Sequence, residues 1–363
     1  MRETEAVAET RRDLEICNAC RYCESYCAVF PAMTLRREFA AADIGYLANL
    51  CHNCQGCYHA CQYAPPHPFG VNLPQAFARV RAETYEEYAW PPAVAGIFRR
   101  NGVAVALTTA LGLALVLALT IALSSPDVLY AARPVRPGSF YAVIPLRAMQ
   151  VTALATFGYA VLALAIGARA FWRDAGAREP VTRAPARDAT SDVLTLRNLG
   201  GGGHGCNDID ERFSMTRRWL HHALFYGFLL CFASTSSAFL MATLFGWAAP
   251  YSLFSLPVVL GTLGGVGLLA GATGLFAIKL AADPAPAARD LLGADVALLM
   301  LLGLAAATGL ALLALRGTGA MGVTLAAHLG VILALFVVLP YSKMVHGVYR
   351  SAALLRNAIE RRR

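Results

Sequence analysis

Lysine is almost missing from this chain: of 31 basic residues only Lys279 and Lys343 are lysines, so the net charge of +8 rests on arginine. Charge is scarce as a whole, at 15% against 57% apolar residues over 363 positions. That balance excludes an ordinary soluble domain and a disordered chain alike. The basic residues fall in clusters between apolar runs and form no single stripe, so no nucleic-acid partner is expected. A secretory signal is also lacking, because MRETEAVAETRRDLEICNACRYCESYCAVF mixes both charge signs and has no apolar core. The N-terminus is therefore expected in the cytoplasm.

Past residue 100 the composition changes. Six stretches, 102–123, 148–168, 220–245, 257–278, 296–315 and 321–341, are free of Asp, Glu, Lys and Arg. Each has the length of about 20 residues that crosses the hydrocarbon. Arginine placement sets the orientation, since cytoplasmic loops keep basic residues. The 172–218 segment holds eight arginines, Lys279 and Arg289 lie between the fourth and fifth spans, and the chain ends RSAALLRNAIERRR. The opposite loops are poorer, with Arg133, Arg136, Arg147 and Arg316. Both termini are thus expected on the cytoplasmic side of a bacterial-type inner membrane.

Eight of the ten cysteines precede residue 62, as Cys17-x2-Cys20-x2-Cys23-x3-Cys27 and Cys51-x2-Cys54-x2-Cys57-x3-Cys61. Three thiolates two residues apart hold three corners of an iron–sulfur cube, and the fourth cysteine is directed to a second cube. The expected ligand sets are Cys17, Cys20, Cys23 and Cys61 for one 4Fe-4S cluster, and Cys51, Cys54, Cys57 and Cys27 for the other. The proline that commonly follows the fourth cysteine is absent, replaced by Ala28 and Gln62, with Pro31 and Pro65 a few residues on. Zinc, the alternative, normally takes two separated CxxC pairs. A disulfide framework does not suit a cytosolic head. The intervening MTLRREFAAADIGYLANL carries Phe39, Ile44, Tyr46, Leu47 and Leu50 at near-helical spacing, as a helix shielding the clusters. His52, His59 and His67 are expected beside the clusters or at the surface, since four cysteines complete each cube.

Histidine is costly in hydrocarbon unless it binds something. The third span opens WLHHALFYGF with His221 and His222, and the last runs from His328 to His346. On a continuous helix, 18 residues at about 1.5 Å each separate those two by about 27 Å, too far to share one haem. His346 and His222 match in depth and are the expected axial ligands of one b-type haem. His221 is the alternative, since neighbours on a helix point about 100° apart. His328 lacks a histidine at its own depth, facing Cys231, Phe232, Ser234 and Thr235, so it is expected to meet a quinone or a second haem, or to make a helix contact.

The loop LRNLGGGGHGCNDIDERFS lacks the Lys-Ser/Thr of a phosphate loop and reads as a flexible docking loop, with His204 and Cys206 solvated. GTLGGVGLLAGATG marks close helix packing in the fourth span. Asp295 begins the fifth span, as a helix-start residue or a proton donor to a reduced quinone.

Taken together, CNACRYCESYCAVFP, YLANLCHNCQGCYHACQYAPPHPFGVNLP, LGGGGHGCND, HHALFYGFLLCFAST and LPYSKMVHG resemble the tricarballylate-utilisation iron–sulfur protein family, also called citrate-utilisation protein B. The resemblance covers nearly the whole chain. It implies an electron carrier that takes electrons from an FAD-dependent tricarballylate dehydrogenase and passes them to membrane quinone. A related cobalamin-pathway protein fuses this module to a flavoprotein and is associated with haem. The last two histidines are similar to the His-x17-His helix in the gamma subunit of respiratory nitrate reductase, which serves two haems. This chain lacks the second histidine on the partner helix.

The expected fold is mainly α, a small two-cluster ferredoxin-like head joined to a six-helix transmembrane bundle. Its divisions are a dicluster head at 1–100, two spans at 101–171, a cytoplasmic loop at 172–218, four spans at 219–347 and a basic tail at 348–363. The expected function is electron transfer from a reduced flavoprotein through two 4Fe-4S clusters and one b-type haem to quinone. The rivals are a subunit of a different respiratory oxidoreductase, a transporter with a metal-binding head, and a zinc-bound anchor.

Overall fold

The computed structural model describes residues 1–132 and 134–362; Arg133, counted above for orientation, and the terminal Arg363 lie outside them. Among the described residues the chain is helical, with no β-pairing beyond an isolated bridge between Cys206 and Ser214. The head begins with α1 (Glu5–Cys20), where the Thr4 hydroxyl accepts the Val7 N–H at 3.2 Å and so caps the first turn. Then come α2 (Val29–Thr34), α3 (Ala41–Leu50), α4 (Gly56–His59) and α5 (Leu73–Glu87), the last capped by Asn72 with Pro74 in its first turn. The centre of the head is α3. Ile44, Tyr46, Leu47 and Leu50 are buried there, packed with Leu14, Met33 and Phe77, and Phe39 joins them from the preceding turn. The helix expected between the two cysteine motifs is therefore the core on which both motifs are mounted.

A 3-10 segment, Pro92–Arg100, leads into α6 (Asn101–Leu123). After the short α7 (Pro126–Leu129) come α8 (Leu146–Ala175), the loop helix α9 (Arg183–Leu194), α10 (Thr216–Leu244), α11 (Leu256–Ala281), α12 (Leu292–Leu315) and α13 (Met321–Val338). Six of these, α6, α8 and α10 to α13, are long and apolar enough to cross a membrane, each on its expected stretch. The chain is a multi-pass membrane protein. Without a hydrophobic drive between helices in lipid, close backbone approach must hold them together. The glycine run of α11 supplies it: a Cβ on Gly264 would lie 2.7 Å from the Cys231 nitrogen, and one on Gly271 would lie 2.5 Å from that of Leu224.

The last span departs from expectation. It does not run on to His346, because Pro340 cannot continue an α-helix. The chain instead passes through a 3-10 turn at Leu339–Tyr341, an extended Ser342 and a second 3-10 turn at Lys343–Val345. His346 opens a separate helix, α14 (His346–Glu360). The helical-rise distance from His328 to His346 therefore does not apply. Within the basic tail, α14 is packed: Tyr349, Ala353, Leu354, Ala358 and Ile359 are buried against the head, α8 and α9. Its Glu360 carboxylate accepts from Arg36 at 2.6 Å, Arg356 at 2.9 Å and the Tyr46 hydroxyl at 3.1 Å. The N-terminal amine meets Glu87 at 3.0 Å, so both chain ends pack into the head at one end of the bundle.

Candidate functional site

All ten cysteines are free thiols. Cys17 and Cys20 lie on the last turns of α1, which stops where Arg21 adopts a left-handed conformation, φ 56°. Asn53 and Gln55 do the same in the second motif, at φ 55° and 64°. Such residues curl the chain so that backbone N–H groups face inward onto sulfur. The Asn53 N–H donates to the Cys51 sulfur at 3.3 Å, and the Gln62 amide donates to Cys20 at 3.7 Å.

The thiols of the two motifs lie beside one another and shift one another's ionisation. Burial, then the neighbouring Cys61, Cys20 and Cys54, push the Cys23 thiol up to about 12. Cys17 is raised by burial and by Cys61, Cys23 and Cys20. Cys57 is raised by burial and chiefly by Cys54, Cys27 and Cys51. One cavity is lined by Cys17, Cys20, Cys23 and Cys61 with Phe30 and Val71, and Cys57 borders it. Cys17, Cys23, Cys27 and Cys57, each raised by burial and by neighbouring thiols, become compatible with ionisation once a cationic core screens them. Four thiolates each is also the donor set a 4Fe-4S cube requires, so the residues fit two such clusters. Among the described residues no three His, Cys, Asp or Glu side chains converge as on a single metal ion.

The glycine-rich loop is not a phosphate cradle, and its Gly205–Asp208 stretch is buried. It folds over the second quartet. Cys206 is wholly buried against Cys54 and its thiol donates to the Leu199 carbonyl at 3.3 Å, the Asn207 N–H donates to the Cys54 carbonyl at 2.9 Å, and a Cβ on Gly201 would stand 3.9 Å from the Cys54 sulfur. The neighbouring Cys206 pulls the Cys54 thiol down to about 6, against its burial. His204 remains exposed beside Phe213, with ring centres 5.9 Å apart. His52 is half-buried in the second motif, with Nδ1 2.8 Å from the Leu50 carbonyl, and His67 meets the Tyr63 and Phe69 rings edge-on.

Sequence reasoning missed three arginines. Arg81 of α5 donates to the Ala48 and Cys51 carbonyls at 2.8 and 3.1 Å. Arg350 of α14 reaches Asn49 at 3.3 Å and Cys51 at 3.0 Å. Arg217, in the first turns of α10, reaches Asn53 at 2.6 Å and His52 at 3.1 Å. The second cysteine motif is thereby bound to α10 and α14. One helical turn from each of those two arginines stands a histidine, His221 and His346, and the two rings meet with centres 6.3 Å apart and planes at 80°. His222 was expected as the partner of His346, but its Nδ1 lies 3.0 Å from the Arg218 carbonyl and its ring stacks on Tyr226 and Trp219. The helix rotates it away, and rotation outweighs depth.

His346 Nδ1–H donates to the Lys343 carbonyl at 2.5 Å, which leaves Nε2 bare. Burial and the Arg350 guanidinium hold this imidazole well below its ordinary pKa, hence neutral. His221 Nδ1 is buried with no hydrogen-bond partner among the described residues. The two imidazoles are thus a pair of candidate nitrogen donors. His328 accepts or donates to the Thr308 hydroxyl at 3.0 Å and lines an apolar cavity of ≈ 360 Å³ with Cys231, Phe232, Ser234 and Thr235, the residues expected opposite it.

Residues 10–87 match the citrate utilization protein B Fer4-like domain, and residues 96–363 match citrate utilization protein B. A protein of Escherichia coli named "Citrate utilization protein B" is 47% identical over 363 residues, 99% of this chain and 94% of that one. No solved structure matches the chain. The chain belongs to the citrate utilization protein B family.

Proposed function

We propose that this protein is a membrane-bound electron relay from a reduced flavoprotein to the quinone pool. Cys17, Cys20, Cys23 and Cys61 hold one 4Fe-4S cluster; Cys27, Cys51, Cys54 and Cys57 hold the other; His221 and His346 hold a b-type haem. The donor is an FAD-dependent dehydrogenase of tricarballylate or a related citrate-type acid, docking on the head at the cytoplasmic face of a bacterial inner membrane. One observation supports this reading most: Arg217 and Arg350, which grip the second cysteine motif, sit one turn from the two facing histidines.

The clusters and haem supply one-electron chemistry, and the chain's own residues do the rest. Backbone and amide N–H groups donate to Cys51 and Cys20, which favours the more negative, reduced cluster. The 199–214 loop covers Cys54 and excludes water. The Lys343 carbonyl fixes the His346 tautomer. Oxidation of the organic acid is assigned to the partner.

The test is an anaerobic dithionite-reduced minus oxidised spectrum of purified full-length protein, with iron and acid-labile sulfide assayed together. Iron and sulfide for two cubes with a b-type alpha band are expected. Zinc without labile sulfide would overturn the reading.

A further inference from the structure

The two cysteine motifs have unequal surroundings. The second is closed in: Arg81, Arg217 and Arg350 hold its backbone carbonyls, and the 199–214 loop lies over Cys54. The first stands at an edge of the head. Arg21 and Gln62 are exposed there, and Tyr22 is 68% exposed. These three, with Tyr63, rim the cavity that Cys17, Cys20, Cys23 and Cys61 line. Between the motifs, the Cys23 thiol lies 4.0 Å from the Cys57 carbonyl. Contacts thus run in one order, from the open edge to the first motif, across Cys23 to the second, and through Arg350 to the helix that opens at His346.

The edge is also built as a contact surface. Beyond Gln62 the chain folds back on itself, closed by the Val71 N–H, which donates to the Tyr63 carbonyl at 2.9 Å. Inside this turn the rings of Tyr63 and His67, Tyr63 and Phe69, and His67 and Phe69 meet with centres 5.1, 5.4 and 4.9 Å apart. Arg12 holds the Phe69 carbonyl at 2.7 Å. Phe69 is nonetheless 48% exposed, and Pro65, Pro66 and Pro68 are exposed with it. Rings and prolines already held rigid lose little entropy when a partner covers them. Aromatic residues with few charges are the composition of a protein interface core. The patch lies outside the six spans, so burial in hydrocarbon does not explain it. A headgroup surface asks instead for an excess of basic residues. Here Arg21 and Glu24 flank Tyr22 with opposite charge, and Arg12 is paired to Asp13 at 2.7 Å.

We propose that this edge, formed by Arg21, Tyr22 and the 62–69 turn, is where a reduced flavoprotein docks, so that electrons enter at the first motif and leave through the second. This rests on the relay reading above and gives it a direction within the head. A flavin enclosed in its own protein reaches a set of thiolates only where their cover is thin, and the second motif lies under a loop and three arginines. The donor's reduced flavin loses two electrons, one at a time, and releases two protons to water. Each electron adds one negative charge at the site of Cys17, Cys20, Cys23 and Cys61, then at that of Cys27, Cys51, Cys54 and Cys57. The membrane quinone of the relay takes both.

The experiment uses full-length purified protein carrying its iron and sulfide, mixed anaerobically with photoreduced flavin mononucleotide. Freeze-quench EPR follows the clusters and stopped flow follows the b-type band. Cys20→Ala opens the first ligand set and Cys54→Ala the second. In Cys54→Ala the remaining cluster should be reduced within about threefold of the wild-type rate, while the haem slows about tenfold. In Cys20→Ala the remaining cluster and the haem should both slow about tenfold. Tyr22→Cys carrying a polyethylene glycol maleimide should slow both by a similar factor with its EPR signals unchanged. The same label on Thr190→Cys, exposed on α9, should be silent. Wild-type rates for the second cluster and the haem in Cys20→Ala, with the second signal intact, would overturn the order while the relay stands. A silent label at Tyr22→Cys would overturn the docking edge. Binding of the purified protein to phosphatidylglycerol vesicles that is lost in Tyr22→Glu would make the edge a lipid contact and overturn it too. Zinc without labile sulfide in the wild type would bring down the relay reading itself, and the order with it.

Discussion

Gly271→Ala tests whether the α10–α11 seam sets the histidine pair. The new methyl would lie 2.5 Å from the Leu224 nitrogen and 2.7 Å from the Leu220 carbonyl oxygen, where ordinary contact begins at 3.4 Å. Both neighbours are backbone, so no rotamer change relieves the clash, and α10 must shift by about 0.7–0.9 Å at that turn. His221 lies between those two residues. Ligand distances hold to within about 0.2 Å, so a shift several times larger breaks the pairing with His346 in whichever direction it falls. Overpacking of this kind costs about 1–3 kcal/mol, or roughly a factor of ten in haem affinity at the lower end. The assay is haem per chain by pyridine haemochrome beside iron and sulfide on one sample. Haem should fall below one per two chains while the cluster signals persist. Gly158→Ala, with open space around its Cβ, is the matched control and should be silent. A full haem complement in Gly271→Ala would refute the reasoning, for it would mean that α10 can move without moving His221 relative to His346.

His221→Ala should abolish the b-type band, whereas His222→Ala should keep it and lose only the stack on Tyr226; the opposite pattern would restore His222 as the ligand. Gln62→Leu removes the amide hydrogen bond to Cys20, and hydrogen bonds to sulfur raise cluster potentials. The first cluster should become harder to reduce by about 20–60 mV, with the second unchanged, in an EPR redox titration. Asp13 is raised to about 6, chiefly by burial, against the opposing Asn72 N–H and Arg12. A carboxyl with a raised folded pKa contributes stability that is fully present below about 3.8 and is lost as pH rises through about 6. Asp13→Asn should therefore stabilise the head by about 1–2 kcal/mol at pH 7, after solvent screening, and by nothing near pH 3. Urea midpoints followed by cluster absorbance will show it, and a pH-independent gain would rule the titration out.

The parts legible in the sequence were those fixed by local periodicity. An uncharged run of span length needs no partner to be recognised, and three cysteines at two-residue intervals define a cluster loop wherever it is placed. Rotation about a helix axis was not legible, because His221 and His222 differ only in the face they present. A usable signal was present even so: Arg217 precedes His221, and Arg350 follows His346, by one helical turn each. The apolar spacing of Tyr349, Ala353, Leu354 and Ala358 likewise marked the last segment as a packed helix, masked by the terminal arginines. Burial of Cys206 depended on long-range closure of the 199–214 loop over Cys54, which no local pattern encodes.

The position of α14 explains why a charged helix is buried at the end of an otherwise apolar chain. Pro340 and Ser342 end α13 and release the backbone from the helical line, so that the next helix can lie against the head. From there Arg36, Arg356 and Tyr46 hold its end through Glu360, and Arg350 takes the Asn49 and Cys51 carbonyls. A continuous seventh-turn extension of α13 would have kept His346 on the axis of the span and left those carbonyls to water. The break thus turns one membrane helix into two segments, one ending at the Lys343–Asp295 pair and the other opening at His346. The second is fixed to the cysteine loop through Arg350, and that attachment holds the head on the end of the bundle.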